Sequence, residues 1–278
     1  MAGKLEGKVV FITGVARGQG RTHAVRFAEE GAAVIGVDLC EDLDAVEYPL
    51  ATPDDLVVTV AAVEKVGGRI HARKADVRNR DEMEQVLQEG IAQFGRLDYV
   101  LANAGVMPIW GTKAGTMDAW HTCLDIMLTG VLNTIEISYP TIRDHGDGGS
   151  IVITSSMAAL KPMMRTENAL TVGMLGYASA KAGLISLARN YASVLGPYGI
   201  RVNTVHPSGV DTPMINNELT RGYFETATEQ DKLVLVPALP VSRLEPEDVS
   251  SAALWLCSEE SKFFTGSVMR LDGGASLR

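Results

Sequence analysis

The sequence predicts a single α/β domain, doubly wound around a mostly seven-stranded parallel sheet. Two observations lead there. Short β-branched runs that are apolar throughout alternate with helical patterns, and no repeat of about 20 to 50 residues or low-complexity stretch interrupts them. A strand that is apolar along its whole length is buried on both faces, which is the situation of a parallel strand covered by helices on either side.

The strand-like runs fall at residues 8–13, 32–38, 69–76, 97–105, 150–155, 200–207 and 267–274. Helical patterns lie between them, near 20–31, 54–67, 80–94, 117–143, 177–197 and 246–257. The second helix carries its own start signal, because Thr52 is an N-cap candidate, Pro53 suits the first helical position, and Asp54 and Asp55 follow in the first turn. Gly67 and Gly68 end it. Two segments break the alternation. Residues 41–53 form an inserted loop after the second strand, and residues 208–240, after the sixth, are expected to be a substrate lid, since long loops in a compact domain are usually functional.

A chain of 278 residues is within the reach of one core, and 46% hydrophobic against 21% charged residues is a globular balance. The net charge of −9, without any block of like charge, argues against a nucleic-acid footprint. Three scattered cysteines, Cys40, Cys123 and Cys257, fit no metal-binding spacing and read as reduced packing thiols of a cytoplasmic protein. The apolar run Val9–Ile12 is too short for a signal core, and no later segment has the length to span a bilayer, so a soluble protein is expected.

The first strand runs into Thr13-Gly14-Val15-Ala16-Arg17-Gly18-Gln19-Gly20, and a helix follows. Glycines let the backbone turn sharply and approach a pyrophosphate, while the helix start offers free N–H groups and a positive dipole end. This is the dinucleotide loop of a Rossmann-type βαβ unit. The second strand ends at Asp38, where a carboxylate can accept hydrogen bonds from the adenosine ribose and repels a 2′-phosphate. Arg17 points the other way, because a base in the glycine loop can hold that phosphate; Asp38 is the stronger signal, Arg17 is read as facing solvent, and the cofactor is read as NAD.

Further along come Asn103-Ala104-Gly105 after the fourth strand, Ser155-Ser156 after the fifth, and Tyr177-x-x-x-Lys181. With the glycine loop, in this order, these motifs resemble the short-chain dehydrogenase/reductase family over essentially the whole chain. The finer resemblance is to its mycofactocin-associated, carveol-dehydrogenase-like subgroup. Asp38-Leu39-Cys40, the insertion through Tyr48-Pro49-Leu50-Ala51, Val205-His206-Pro207 and Asp211-Thr212-Pro213-Met214 carry it. The resemblance implies Ser156, Tyr177 and Lys181 as the catalytic residues. It implies a cofactor site of Gly14, Ala16, Arg17, Gly18, Gln19, Asp38, Leu39, Cys40, Asp76, Val77, Asn103, Ala104, Gly105, Tyr177, Lys181, Pro207, Gly209, Val210 and Thr212. It also implies tightly held NAD re-oxidised in place through a redox peptide, mycofactocin, and a homotetramer built on the two long helices and the last strand.

The chemistry can be argued without the family. Moving hydride between an alcohol carbon and a nicotinamide requires a proton to enter or leave the oxygen. A phenol titrates near about 10 and is a poor base at neutral pH. Lys181 lies one helical turn beyond Tyr177, and its charge, with that of the oxidised nicotinamide, is expected to lower the phenol's pKa. Ser156 is placed to stabilise the substrate oxygen. The function read from these residues is NAD-dependent hydride transfer on a secondary alcohol or ketone, for which the resemblance implies an apolar, cyclic or terpenoid-like body. A 3-oxoacyl carrier-protein reductase and a non-catalytic NAD-binding sensor are the alternatives.

Two features depart from the family. Tyr177 lies 21 residues beyond Ser156, farther than in most members, and the extra residues from about Met163 to Leu175 are expected to form a loop beside the site. Met127, in Asp125-Ile126-Met127-Leu128-Thr129-Gly130, stands where relatives carry an asparagine that helps hold a water linking the lysine to solvent. A thioether accepts only weakly and donates nothing. His206 is read as positional, His145 as part of a surface turn, and Trp110 and Trp120 as packing residues.

Overall fold

Every residue of the first strand, Val9–Thr13, is buried, so alternate side chains enter cores on both faces of the sheet. Val9 and Phe11 join one core with Met83, Leu87, Val100 and Ile135. Val10 and Ile12 join the other with Phe27, Val63, Val249 and Ala253. The computed structural model describes residues 3–234 and 236–277, Asn168 by its backbone alone. Strands β1 (Val9–Thr13), β2 (Ala33–Asp38), β3 (Ile70–Lys74), β4 (Tyr99–Ala102), β5 (Gly149–Thr154), β6 (Ile200–Pro207) and β7 (Val268–Leu271) form one sheet in the order β3-β2-β1-β4-β5-β6-β7. All six pairings are parallel.

The helices are α1 (Gly18–Glu29), α2 (Pro53–Lys65), α3 (Arg80–Phe94), α4 (Met117–Leu124), α5 (Gly130–His145), α6 (Val172–Leu195), α7 (Glu218–Thr226), α8 (Glu229–Leu233) and α9 (Pro246–Cys257). α1, α2 and α9 cover one face; α3 to α6 cover the other. Thr52 caps α2 in a reciprocal capping box with Asp55, with Pro53 at the start. None of the helices among the described residues is long and apolar enough to cross a membrane. All three cysteines are free and buried.

The structure corrects several local expectations. The helix expected over 117–143 is broken by a π-helical turn, Asp125–Thr129, centred on Met127. A residue inserted into the hydrogen-bond ladder leaves no mark on hydrophobic periodicity, and such turns recur at functional sites. α6 begins at Val172, so the end of the expected loop 163–175 is helical. Thr171 caps it, accepting from Met174 N at 3.1 Å. Gly173 and Gly176, poor helix formers, hide that start in the sequence; a Cβ on Gly173 would lie 2.0 Å from Pro108 O. Segment 208–240 contains α7 and α8 and is not a bare loop. His145 closes α5 instead of lying in a turn, and its Nε2 meets Leu97 O at 2.7 Å.

Candidate active site

Strand order reverses between β1 and β4, and in such sheets ligands bind outside the carboxyl ends of the strands at that point. Asn103 joins the two ends: its backbone N–H donates to Thr13 Oγ1 and its Nδ2 to Thr13 O, both at 3.1 Å. The glycine loop leaves β1 here. A Cβ on Gly20 would stand 1.9 Å from Gly14 O, so the loop closes only with glycine at that position. Gly14 has φ +72°, a left-handed conformation open to glycine. No side chain caps the start of α1. Its first N–H groups therefore face a cleft lined by Gly14, Arg17, Gly18, Gln19, Asp38 and Asn103.

The remaining residues expected at the cofactor divide by geometry. Leu39, Asp76, Val77, Ala104, Gly105 and Thr212 also line this cleft. Ala16 and Cys40 stand behind it: Ala16 N donates to Asp38 Oδ2 at 2.8 Å and Cys40 N to Asp38 Oδ1 at 3.2 Å. Burial pushes the Asp38 carboxyl above its ordinary range, and these two N–H groups pull against it. Arg17 is not free in solvent; its guanidinium donates to Pro49 O of the insertion at 2.7 Å. That insertion is also tied to the β4–α4 loop. Tyr48 Oη accepts from Met107 N at 2.9 Å, and Glu47 accepts from Thr112 Oγ1 at 2.7 Å and Lys113 N at 2.8 Å.

At the inner end of the cleft, Lys181 is buried and Nζ donates to Thr154 O at 2.7 Å. Burial lowers its pKa to about 8. The expected lowering of the Tyr177 phenol is absent in the protein alone. Burial pushes it above its ordinary value, the Ser156 hydroxyl offsets part of that rise, and the lysine turns its charge to Thr154 O, with Nζ 5.8 Å from the ring centroid. The two serines are told apart by their partners. Both border the space beside Lys181, but Ser155 Oγ donates to Lys181 O at 2.8 Å, which fixes α6 to β5, whereas Ser156 also borders the apolar cavity beyond Tyr177. His206 is buried and braces that serine, with Nδ1 2.9 Å from Ser156 O and Nε2 2.7 Å from Thr204 Oγ1. A Cβ on Gly105 would meet Met127 Sδ at 3.5 Å and Lys181 Nζ at 3.7 Å, so thioether and ammonium flank the same point.

Beyond Tyr177 opens a second, largely apolar cavity of about 470 Å³. Met163, Met164 and Met174 of the long Ser156–Tyr177 segment line it, while Leu170 and Leu175 face outward. Gly209 lines this cavity; Pro207 and Val210 line the space between it and the cofactor cleft. Trp110, for which packing is the default reading of the sequence and the pocket border the alternative, lines the cavity and stacks on Tyr223 of α7 at 4.7 Å between ring centroids. Trp120 lies on α4, where a Cβ on Gly176 would come within 2.9 Å of its Cα. Asp231 of α8 holds the segment after β6 to the long segment, accepting from Arg165 N at 3.0 Å and Thr166 Oγ1 at 2.9 Å. The sequence reading missed Met107, Ile109, Tyr223 and Phe224 at this cavity. They belong to no motif; only the aromatic pair within the amphipathic α7 could have signalled them.

Fold and site define a nucleotide-binding oxidoreductase, and the chain belongs to the short-chain dehydrogenase/reductase family. The family model described as enoyl-(acyl carrier protein) reductase matches residues 14–276. The chain is similar to the (−)-trans-carveol dehydrogenase of Rhodococcus erythropolis, 40% identical over 283 residues and 99% of each protein. Among solved structures it resembles a carveol dehydrogenase from Mycobacterium avium in complex with NAD, with TM-score 0.90, 38% identity, and coverage of 99% of this chain and 100% of that one. A short-chain dehydrogenase from Mycobacterium paratuberculosis bound to NAD gives TM-score 0.91 and 41% identity over 99% of this chain and 100% of the other.

Proposed function

We propose that this enzyme uses NAD to oxidise a secondary alcohol, or reduce the ketone, of an apolar cyclic or terpenoid-like molecule. One observation carries the reading: the Ser156 and Tyr177 hydroxyls line both the space beside Lys181 and the apolar cavity. A substrate oxygen placed between them touches proton-transfer groups while its hydrocarbon body lies among methionines and aromatics.

The residues fit the cofactor. The uncapped start of α1 suits a pyrophosphate, Asp38 presents a carboxylate to the ribose that opposes a 2′-phosphate, and buried Gln19 Oε1 has no protein partner among the described residues. Gly14, Ala16, Arg17, Gly18, Gln19, Asp38, Leu39, Cys40, Asp76, Val77, Asn103, Ala104, Gly105, Pro207, Gly209, Val210 and Thr212 would form its site, with Tyr177 and Lys181 beside the ribose. Bound there, NAD supplies the hydride acceptor. Tyr177 exchanges the proton with the substrate oxygen, Ser156 donates a hydrogen bond to that oxygen, and Lys181 holds positive charge near the phenol. The bonds from the insertion to Arg17, Met107, Thr112 and Lys113 support slow cofactor exchange. Re-oxidation in place by mycofactocin, and a cytoplasmic homotetramer, belong to the proposal on the family resemblance alone. A panel of cyclic secondary alcohols, tested with free NAD and with an artificial electron acceptor, checks this. Turnover with neither acceptor for any alcohol refutes it.

A further inference from the structure

The cavity is apolar but not uniformly so. Two buried polar atoms of residues lining it have no hydrogen-bond partner among the described residues: Ser208 Oγ and Trp110 Nε1. A third group, the Tyr223 hydroxyl, meets only a thioether, Met164 Sδ at 3.9 Å, which is a weak acceptor. Buried donors without partners are unfavourable and rare, and two of them beside a part-buried phenol held only by a thioether form a pattern that a ligand can satisfy.

Ser208 has the most telling position. Among the described residues, Met107, Ser156, Tyr177, Ser208 and Ile215 line both the apolar cavity and the space beside Lys181, so three of these five residues at the junction carry hydroxyls. Two of them belong to the proton-transfer pair. The third is held in place by its backbone, since Ser208 N donates to Leu271 O at 3.2 Å. It does not line the cofactor cleft proper, whereas Thr212 does.

We propose that the substrate carries a second oxygen near its reacting carbinol, and that the Ser208 hydroxyl recognises it by a hydrogen bond. The substrate class is then an alicyclic diol or hydroxyketone, not a plain hydrocarbon alcohol. Trp110 Nε1 and the Tyr223 hydroxyl give a more distant oxygen on the same ring a place to bind as the segment carrying α7 adjusts.

This inference rests on the redox reading above, and its test separates the two. Cyclohexanol is compared with the cis and trans isomers of 1,2-, 1,3- and 1,4-cyclohexanediol, in the native enzyme and in Ser208→Ala. The readout is the ratio of kcat/KM for the best diol to that for cyclohexanol. We expect this ratio to exceed about 10 in the native enzyme and to fall about tenfold in Ser208→Ala, the size of one neutral hydrogen bond. The same ratio is measured as Kd by calorimetry on the NAD-loaded Tyr177→Phe protein, which needs no turnover. Absence of turnover with an intact Kd ratio removes the redox reading and keeps this one. A native enzyme that does not favour any diol overturns the proposal. So does a ratio unchanged in Ser208→Ala, including the case where only NAD affinity falls, which would assign the hydroxyl to the cofactor.

Discussion

Replacing Lys181 by methionine removes a charge that the fold holds out of water. Lys181 is 4% exposed, and burial brings its pKa from 10.5 to about 8. Below pH 8 the lysine is charged in both the folded and the unfolded chain, and the shift corresponds to about 3 kcal/mol of destabilisation. Between about 8 and 10.5 the folded group is neutral while the unfolded one still binds its proton, so the native enzyme gains stability as pH rises. Above 10.5 the penalty is gone. Methionine keeps most of the volume but loses the bond to Thr154 O, worth about 1 kcal/mol. Lys181→Met is therefore expected to be inactive yet about 2 kcal/mol more stable near pH 7. That advantage falls with pH and turns into a deficit of about 1 kcal/mol above pH 10.5. Denaturant unfolding of both cofactor-free proteins, repeated from pH 6.5 to 10.5, measures the curve. A variant less stable at pH 7, or a difference that does not vary with pH, would refute the claim that desolvation governs this lysine.

Asp38→Ala should relax discrimination against NADP, read by titrating both dinucleotides; an unchanged preference removes Asp38 from the ribose site. Tyr177→Phe should lower kcat by at least about a thousandfold and keep NAD affinity within a factor of about two, because only the phenol proton is lost. If proton transfer limits the rate, Met127→Asn should raise turnover or shift the pH–rate profile, since a polar group would stand beside Lys181. If Met127 only fills core volume, the buried amide costs about 1–3 kcal/mol and the melting temperature drops with no gain in rate at any pH. Asp231→Ala should loosen both segments over the cavity, raising KM and speeding limited proteolysis within 161–171; an unchanged cleavage rate would mean that the latch bears no strain.

The parallel sheet was legible because local and global signals agree there. The inner strands β1, β2, β4 and β5 are buried on both faces, so their pattern does not depend on which neighbour they meet. The edge strands β3 and β7 carry charged residues and are placed by their position between helical segments. The glycine loop was legible for a related reason: Gly20 is imposed by contact with Gly14 O, a few residues away in sequence. Asp38 could be named from its strand end and Lys181 from the helical turn that separates it from Tyr177, whereas the choice of Ser156 and Tyr177 rested on motif order and the family resemblance.

What spacing could not provide is the partner of each group. The sequence offered Arg17 as a free cation, but its charge faces Pro49 O across an insertion whose path is set by Tyr48 and Glu47. It offered a lysine that lowers the phenol's pKa, and burial reversed the direction for the protein alone. The π-helical turn at Met127 and the apolar cavity also came only with the tertiary structure. Secondary structure and the motif order follow from interactions within a few residues of chain, which the sequence by itself determines. Desolvation, and the pairing of a hydroxyl or a charge, depend on which distant segments close over it, and only the folded chain decides that.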